Sequence, residues 1–203
     1  RNYLRIFQAG FGRFIFNSLV ICVVATVVST ALSIMAAYAF SRFEFRFKRT
    51  LFMAILFGQV FPWIVLINPL FVAFATLNLI NSYVGMILTY TAFTIPFSVY
   101  MLVGYLVTVP KSLDEAAIID GASRWQVIWM IICPVMLPGF VATATYAFLL
   151  CWTEYLFALA FLTQTELKTL PLGLYQYFGD DYVDWGAVMA ASVVTTLPVF
   201  LLF

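Results

Sequence analysis

The chain has 203 residues, 65% of them hydrophobic and only 9% charged, with a net charge of +1 and no histidine. A soluble domain carries about 25% charged residues, so this composition requires apolar surface to face lipid and excludes a soluble globular protein. Near-neutral charge argues against a nucleic-acid binder, and the missing histidines remove the commonest transition-metal ligand and general base.

Residues 1–13 mix aromatic and basic side chains and suit a segment lying in the membrane interface. They lack the short apolar core and small-residue cleavage site of a signal peptide. Residues 14–40 form the first predicted span, since about 20 apolar residues suffice to cross. Ala25, Ser29, Ser33 and Ala37 recur every fourth position, a stripe against which another helix packs closely. The turn 41–50 carries Arg42, Arg46, Lys48 and Arg49 against Glu44. Residues 51–77 form the second predicted span, with Pro62 and Pro69 inside it, where proline kinks a helix. An uncharged turn at 78–82 leads to a third span over 83–107, with Pro96 near its middle.

Residues 108–134 are the most polar and best punctuated interior stretch. Ser112 and Glu115 have capping-box spacing, and Asp114 and Glu115 fall in a first turn, where negative charge is favoured. Gly121 is a left-handed stop, and Ser123 with Gln126 repeats the capping-box spacing. The pattern predicts a short helix, a glycine turn and a second short helix running into Pro134. The fourth span is expected over 135–162, an acidic and aromatic loop over 163–185, and a fifth span over 186–203. Cys22, Cys133 and Cys151 lie in or beside apolar stretches without metal or disulfide spacing, and read as packing residues.

Loop charges set the orientation. The turn 41–50 and the loop 108–134 hold six Lys and Arg, whereas the loops 78–82 and 163–185 hold one. Three Arg before the first span count the other way. The balance places the loop 108–134 in the cytoplasm.

Glu154 is the one carboxylate within a predicted span, where a charge is costly unless partnered or wetted. It reads either as a polar contact on a solute path or as a hydrogen-bonding group that fixes the end of its span. Gln59, Asn68, Tyr90, Thr94 and Trp152 could line the same path, and Trp and Tyr near span ends equally serve as interfacial anchors. No G-x-x-x-x-G-K-[ST] phosphate loop is present.

Glu115-Ala116-Ala117, then Gly121, then Ile131 and Pro134 resemble the EAA motif of membrane subunits of ATP-binding-cassette importers. Cys133 stands where that motif has Leu, a mild departure because cysteine buries as a small hydrophobe. The stretches NYLRIFQAGFGRFIFNSL, AAYAFSRFEF, WTEYLFAL and TLPLGLYQYFGDDYVDWGAVMAAS resemble the sugar-uptake branch, of maltose/glycerol-phosphate type. The likeness covers nearly the whole chain. It implies an all-α, MetI-like integral membrane fold, here one domain of about five spans plus a cytoplasmic coupling helix. The family's first span and its tail after the last span are expected to lie outside this sequence.

The resemblance implies a bacterial inner-membrane permease with no cofactor in this chain. ATP and Mg would sit on two partner ATPase subunits, and a second, distinct permease and an extracytoplasmic substrate-binding protein complete the expected set. It assigns the ATPase contact to Ser112, Asp114, Glu115, Ala116, Ala117, Asp120, Gly121 and Arg124. For Glu115 the plain alternative is a cap of its own helix. In the acidic loop, Tyr177, Asp180, Asp181 and Asp184 are expected to meet the binding protein, unless the loop is a solvated connector. The cargo expected is an oligosaccharide or related polyol. The alternatives are a non-sugar solute on the same architecture or, from a different class, a stand-alone secondary transporter. The latter would show repeats or an embedded charge relay. A membrane enzyme is disfavoured by the lack of His and of a clustered acid pair.

Overall fold

The computed structural model describes residues 2–178 and 183–202. Its regular elements are helical, with one isolated antiparallel bridge between Phe178 and Val183. The chain opens with α1 (Asn2–Gln8), α2 (Phe11–Arg42) and α3 (Lys48–Val60), followed by α4 (Ile67–Thr76) and α5 (Tyr83–Val107). Then come α6 (Lys111–Ile119), α7 (Arg124–Gln126), α8 (Cys133–Val135) and α9 (Leu137–Thr153). The last elements are α10 (Leu156–Phe161), α11 (Leu170–Tyr175) and α12 (Trp185–Leu202).

By length and composition α2 and α5 can each cross a bilayer. Lys48–Val60 with Trp63–Thr76, and Arg124–Val135 with Leu137–Thr153, reach that threshold only as bent pairs. At 32 residues α2 is about 48 Å long, beyond the thickness of about 30 Å of a hydrocarbon core.

Two expected spans are interrupted. The stretch 51–77 breaks at Phe61–Pro62 and resumes through a 3-10 turn, Trp63–Leu66. Proline holds the residue before it extended, and Phe61 sits at φ −67°, ψ 131°. Pro69 breaks nothing, because it falls in the first turn of α4, where amide hydrogens have no intrahelical partner. Pro96 likewise lies inside an uninterrupted α5. The stretch 135–162 breaks at Glu154 and Tyr155, between α9 and α10.

The chain divides into two compact units. The first comprises Arg1–Ala25, Trp63–Tyr90 and Phe148–Phe203. Its core gathers Phe11, Phe14, Met86, Tyr90, Trp152 and Phe161 with smaller residues of α12. Backbone approaches side chains closely here. A Cβ on Gly173 would lie 2.1 Å from the Phe14 ring, and one on Gly186 would lie 2.7 Å from the Asn2 amide.

Two asparagines tie the connectors of this unit together. Asn17, fully buried, donates to the carbonyls of Glu166 and Lys168 at 2.9 Å each and accepts from the Tyr83 hydroxyl at 2.6 Å. Ser18 accepts the Leu170 amide at 2.7 Å. Asn81, in the left-handed region at φ 54°, accepts the amides of Thr163 at 2.7 Å and Gln164 at 3.0 Å. Asn and Asp are the side chains that best tolerate that conformation.

The second unit comprises Thr26–Pro62 and Thr91–Ala147. Its core is Ile34, Tyr38, Leu102, Leu106, Val127 and Ile132. The small-residue stripe of α2 faces inward, with Ala25 in the first unit and Ser29, Ser33 and Ala37 in the second at most 1% exposed. Valines and leucines on the opposite face of α2 are exposed, as a helix beside lipid or another subunit requires.

Candidate functional site

The loop after α5 forms a knuckle in the second unit. Pro110 caps α6 with extended geometry, φ −59° and ψ 134°, and no side chain caps this end. The expected Ser112–Glu115 capping box is therefore not formed. Pro110 starts the helix early, at Lys111, which puts Ser112 inside the first turn rather than before it.

The other end behaves as the spacing predicts. Gly121 has φ +90°. Its amide donates to Ile118 O at 3.0 Å, and the Ala122 amide donates to Ala117 O at 2.9 Å. This is a Schellman termination, with a left-handed residue closing the last turn. Ser123 then accepts the Gln126 amide, while the Ser123 amide donates to Gln126 Oε1 at 2.8 Å. That capping box launches α7. A π-helical turn, Val127–Ile132, and α8 carry the chain on to meet α9 at 84°. Val127, Ile128 and Ile132 are buried, so this second helix is a brace rooted in the core.

The eight residues assigned to the ATPase contact divide by exposure. Ser112, Glu115, Ala116, Asp120, Gly121 and Arg124 are exposed, whereas Asp114 and Ala117 are buried. Ile119, not singled out in the sequence, is 85% exposed at the end of the ridge. Ala116 keeps the exposed ridge thin, while Ala117 packs into the core. Arg124 lies over the Phe43 ring at 5.2 Å. Beside it, Lys48 donates to Glu44 at 2.8 Å and holds that carboxyl below its ordinary range.

Asp114 turns inward and meets Arg42, the last residue of α2. Arg42 Nε donates to Asp114 Oδ2 at 2.7 Å, and its Nη2 donates to the Val109 carbonyl at 3.0 Å. Both side chains are 5% exposed. An uncompensated buried charge costs several kcal/mol, of order 3–5 on loss of one partner. The pair therefore fixes where α6 stands. Sequence reading missed Arg42, because an arginine at a span end looks like any charge that sets orientation.

Of the six residues read as a solute path, Gln59 and Thr94 belong to the second unit and the other four to the first. Gln59 and Asn68 are exposed, and Thr94 is buried, with its hydroxyl donating to Thr91 O of the same helix at 3.3 Å. Tyr90, Trp152 and Glu154 meet in the first unit. The Tyr90 hydroxyl donates to Glu154 Oε2 at 2.9 Å. The amides of Phe157 and Ala158 donate to the same carboxylate at 2.8 and 3.2 Å. Trp152 stacks on Phe148, and its indole N–H donates to Thr195 O at 3.1 Å. A carboxylate at the start of a helix satisfies amides that otherwise lack partners, which is why the chain breaks and restarts as α10.

Of the residues expected to meet a binding protein, Asp180 and Asp181 lie outside the described residues. Asp184 pairs with Arg5 and accepts the Ala187 amide at 3.1 Å, at the start of α12. Tyr177 packs against Phe11 at 6.0 Å, and burial raises its phenol pKa. Among the described residues no cluster of His, Cys, Asp or Glu could hold a metal ion.

Residues 29–203 match the family described as "Binding-protein-dependent transport system inner membrane component". The chain is 38% identical over 187 residues to the Escherichia coli (strain K12) inner membrane ABC transporter permease protein YcjP, covering 92% of this chain and 67% of that one. It is 36% identical over 205 residues to the trehalose/maltose transport system permease protein MalG of Thermococcus litoralis, covering 99% and 74%. The sulfoquinovosyl glycerol transport system permease protein SmoH of Agrobacterium fabrum is 34% identical, covering 99% and 71%. The fold is similar to a chain of a bacterial ABC transporter that imports alginate, with TM-score 0.83 and 23% identity, covering 98% and 75%. It also resembles a chain of the inward-facing MetNI methionine ABC transporter, with TM-score 0.73 and 18% identity, covering 98% and 92%. The chain thus belongs to the binding-protein-dependent inner-membrane components: it is a membrane-spanning permease subunit of an ABC importer, with the MetI-like fold, which works with ATPase subunits, another permease and a substrate-binding protein.

Proposed function

We propose that this permease admits a disaccharide, oligosaccharide or glycosylated polyol, and that the knuckle 111–126 receives the thrust of the ATPase. The relatives named for trehalose and maltose and for sulfoquinovosyl glycerol support the cargo class. The coupling reading rests on one observation. A thin ridge of exposed residues, Glu115, Ala116, Asp120 and Gly121, is closed by a Schellman turn and braced by a capped second helix. Such a ridge fits a groove on another protein, and its rigidity lets displacement pass inward. In this reading ATP and Mg belong to the ATPase partners, and this chain itself performs no chemistry.

The test is reconstitution of the whole transporter in vesicles with its binding protein. Expected is ATP hydrolysis stimulated by a glycoside and by no amino acid or phosphate. Stimulation by a non-sugar solute alone would replace the cargo class while leaving the coupling reading in place.

A further inference from the structure

We propose that Arg42 is a positioning residue for energy coupling: through Asp114 and the Val109 carbonyl it makes α6 move with α2. The proposal rests on the coupling reading above. Of the nine residues of α6, only Asp114 and Ala117 are buried. Ala117 makes apolar contacts, which are non-directional. The Asp114 contact is directional and runs through Oδ2 alone, since Asp114 Oδ1 has no hydrogen-bond partner among the described residues. The same guanidinium grips Val109, immediately before the Pro110 cap. One side chain therefore holds both the entry to α6 and its first turn. That side chain is the last of a 32-residue helix. At 5% exposure for each partner, water does not stand in for either. Displacement of the ridge is then handed to α2 rather than absorbed in the connection.

A pair kept only for stability behaves differently from one kept for geometry. Replacing a buried ion pair with apolar residues of similar size is often neutral or stabilising. Such a replacement keeps the fold but removes the directed contact. The experiment compares wild type, Arg42→Met/Asp114→Leu, and Arg42→Lys in the complete transporter in vesicles. It measures assembly with the ATPase, ATP hydrolysis and uptake per ATP. The double variant is expected to assemble and hydrolyse ATP, while its uptake per ATP falls about tenfold, within the usual range of coupling between sites. Arg42→Lys, with charge but no fork to hold both partners, should fall between the two.

A double variant that couples as wild type, or one that fails to assemble, assigns the pair to folding alone and overturns the proposal. Glu115→Ala and Gly121→Val serve as separate controls. If they leave uptake per ATP unchanged, the docking reading fails. If they uncouple while the Arg42 variants do not, only the present proposal fails.

Discussion

The Tyr90 hydroxyl donates to Glu154 at 2.9 Å across 64 residues of sequence, on the carboxylate that also restarts α10. This arrangement gives Glu154 a structural task. Glu154→Ala removes the acceptor of three hydrogen bonds, from the Tyr90 hydroxyl and the Phe157 and Ala158 amides, at about 0.5–1.5 kcal/mol for each bond lost. Denaturation of the purified transporter should show a loss of about 2–4 kcal/mol. Glu154→Gln, which keeps an acceptor oxygen, should lose less. The apparent KM for cargo in the folded fraction should stay unchanged, whereas a direct solute contact would raise it.

Asn17 gathers two carbonyls and a tyrosine hydroxyl at one buried point. Asn17→Ala should loosen the 163–178 segment before the rest of the chain, since local opening follows lost local contacts. Limited proteolysis should cut there several-fold faster. Tyr83→Phe alone should cost about 1 kcal/mol, and should add little once Asn17 is gone, because the two share one bond.

Gly173 faces the ring of Phe14 where a Cβ would sit at 2.1 Å. Gly173→Ala should destabilise the first unit by about 1–3 kcal/mol through overpacking. Phe14→Leu, made together with it, should recover part of the loss, as thermal unfolding of the two variants would show.

Gly121 is held at φ +90°, and a Cβ placed on it would meet nothing within 4 Å. The penalty for a side chain there is thus conformational rather than steric crowding, about 1–2 kcal/mol. Gly121→Val should reduce uptake per ATP, and Gly121→Asn should retain more of it, since asparagine tolerates the left-handed region. Equal behaviour of the two would remove backbone geometry from the account.

What the sequence disclosed and what it withheld follow one distinction. The Gly121 turn and the Ser123–Gln126 box are local, written within six residues, so spacing alone revealed them. The Ser112 box failed because Pro110, two residues earlier, made a competing start. Pro62 read as a kink and proved a break, since a proline leaves open whether the helix resumes along its axis. The contacts of Arg42 with Asp114 and of Asn17 with the 166–168 carbonyls join residues 72 and about 150 positions apart. In one dimension each partner had an ordinary explanation: a charge that sets orientation, an acid in a first turn, a polar residue at a span end. Asp114, an acid in a first turn by its spacing, faces the core and pairs with Arg42.

The most direct test is cross-linking from Ile119, an apolar side chain 85% exposed at the end of the ridge. Ile119→Cys in the complete transporter, treated with a short thiol-to-amine cross-linker, should join this chain to a lysine of an ATPase subunit and stop uptake, with protection when a membrane-impermeant thiol reagent is applied from the cytoplasmic side first. Modification of the introduced thiol from the outside face, or the absence of any ATPase adduct in a transporting complex, would contradict the account.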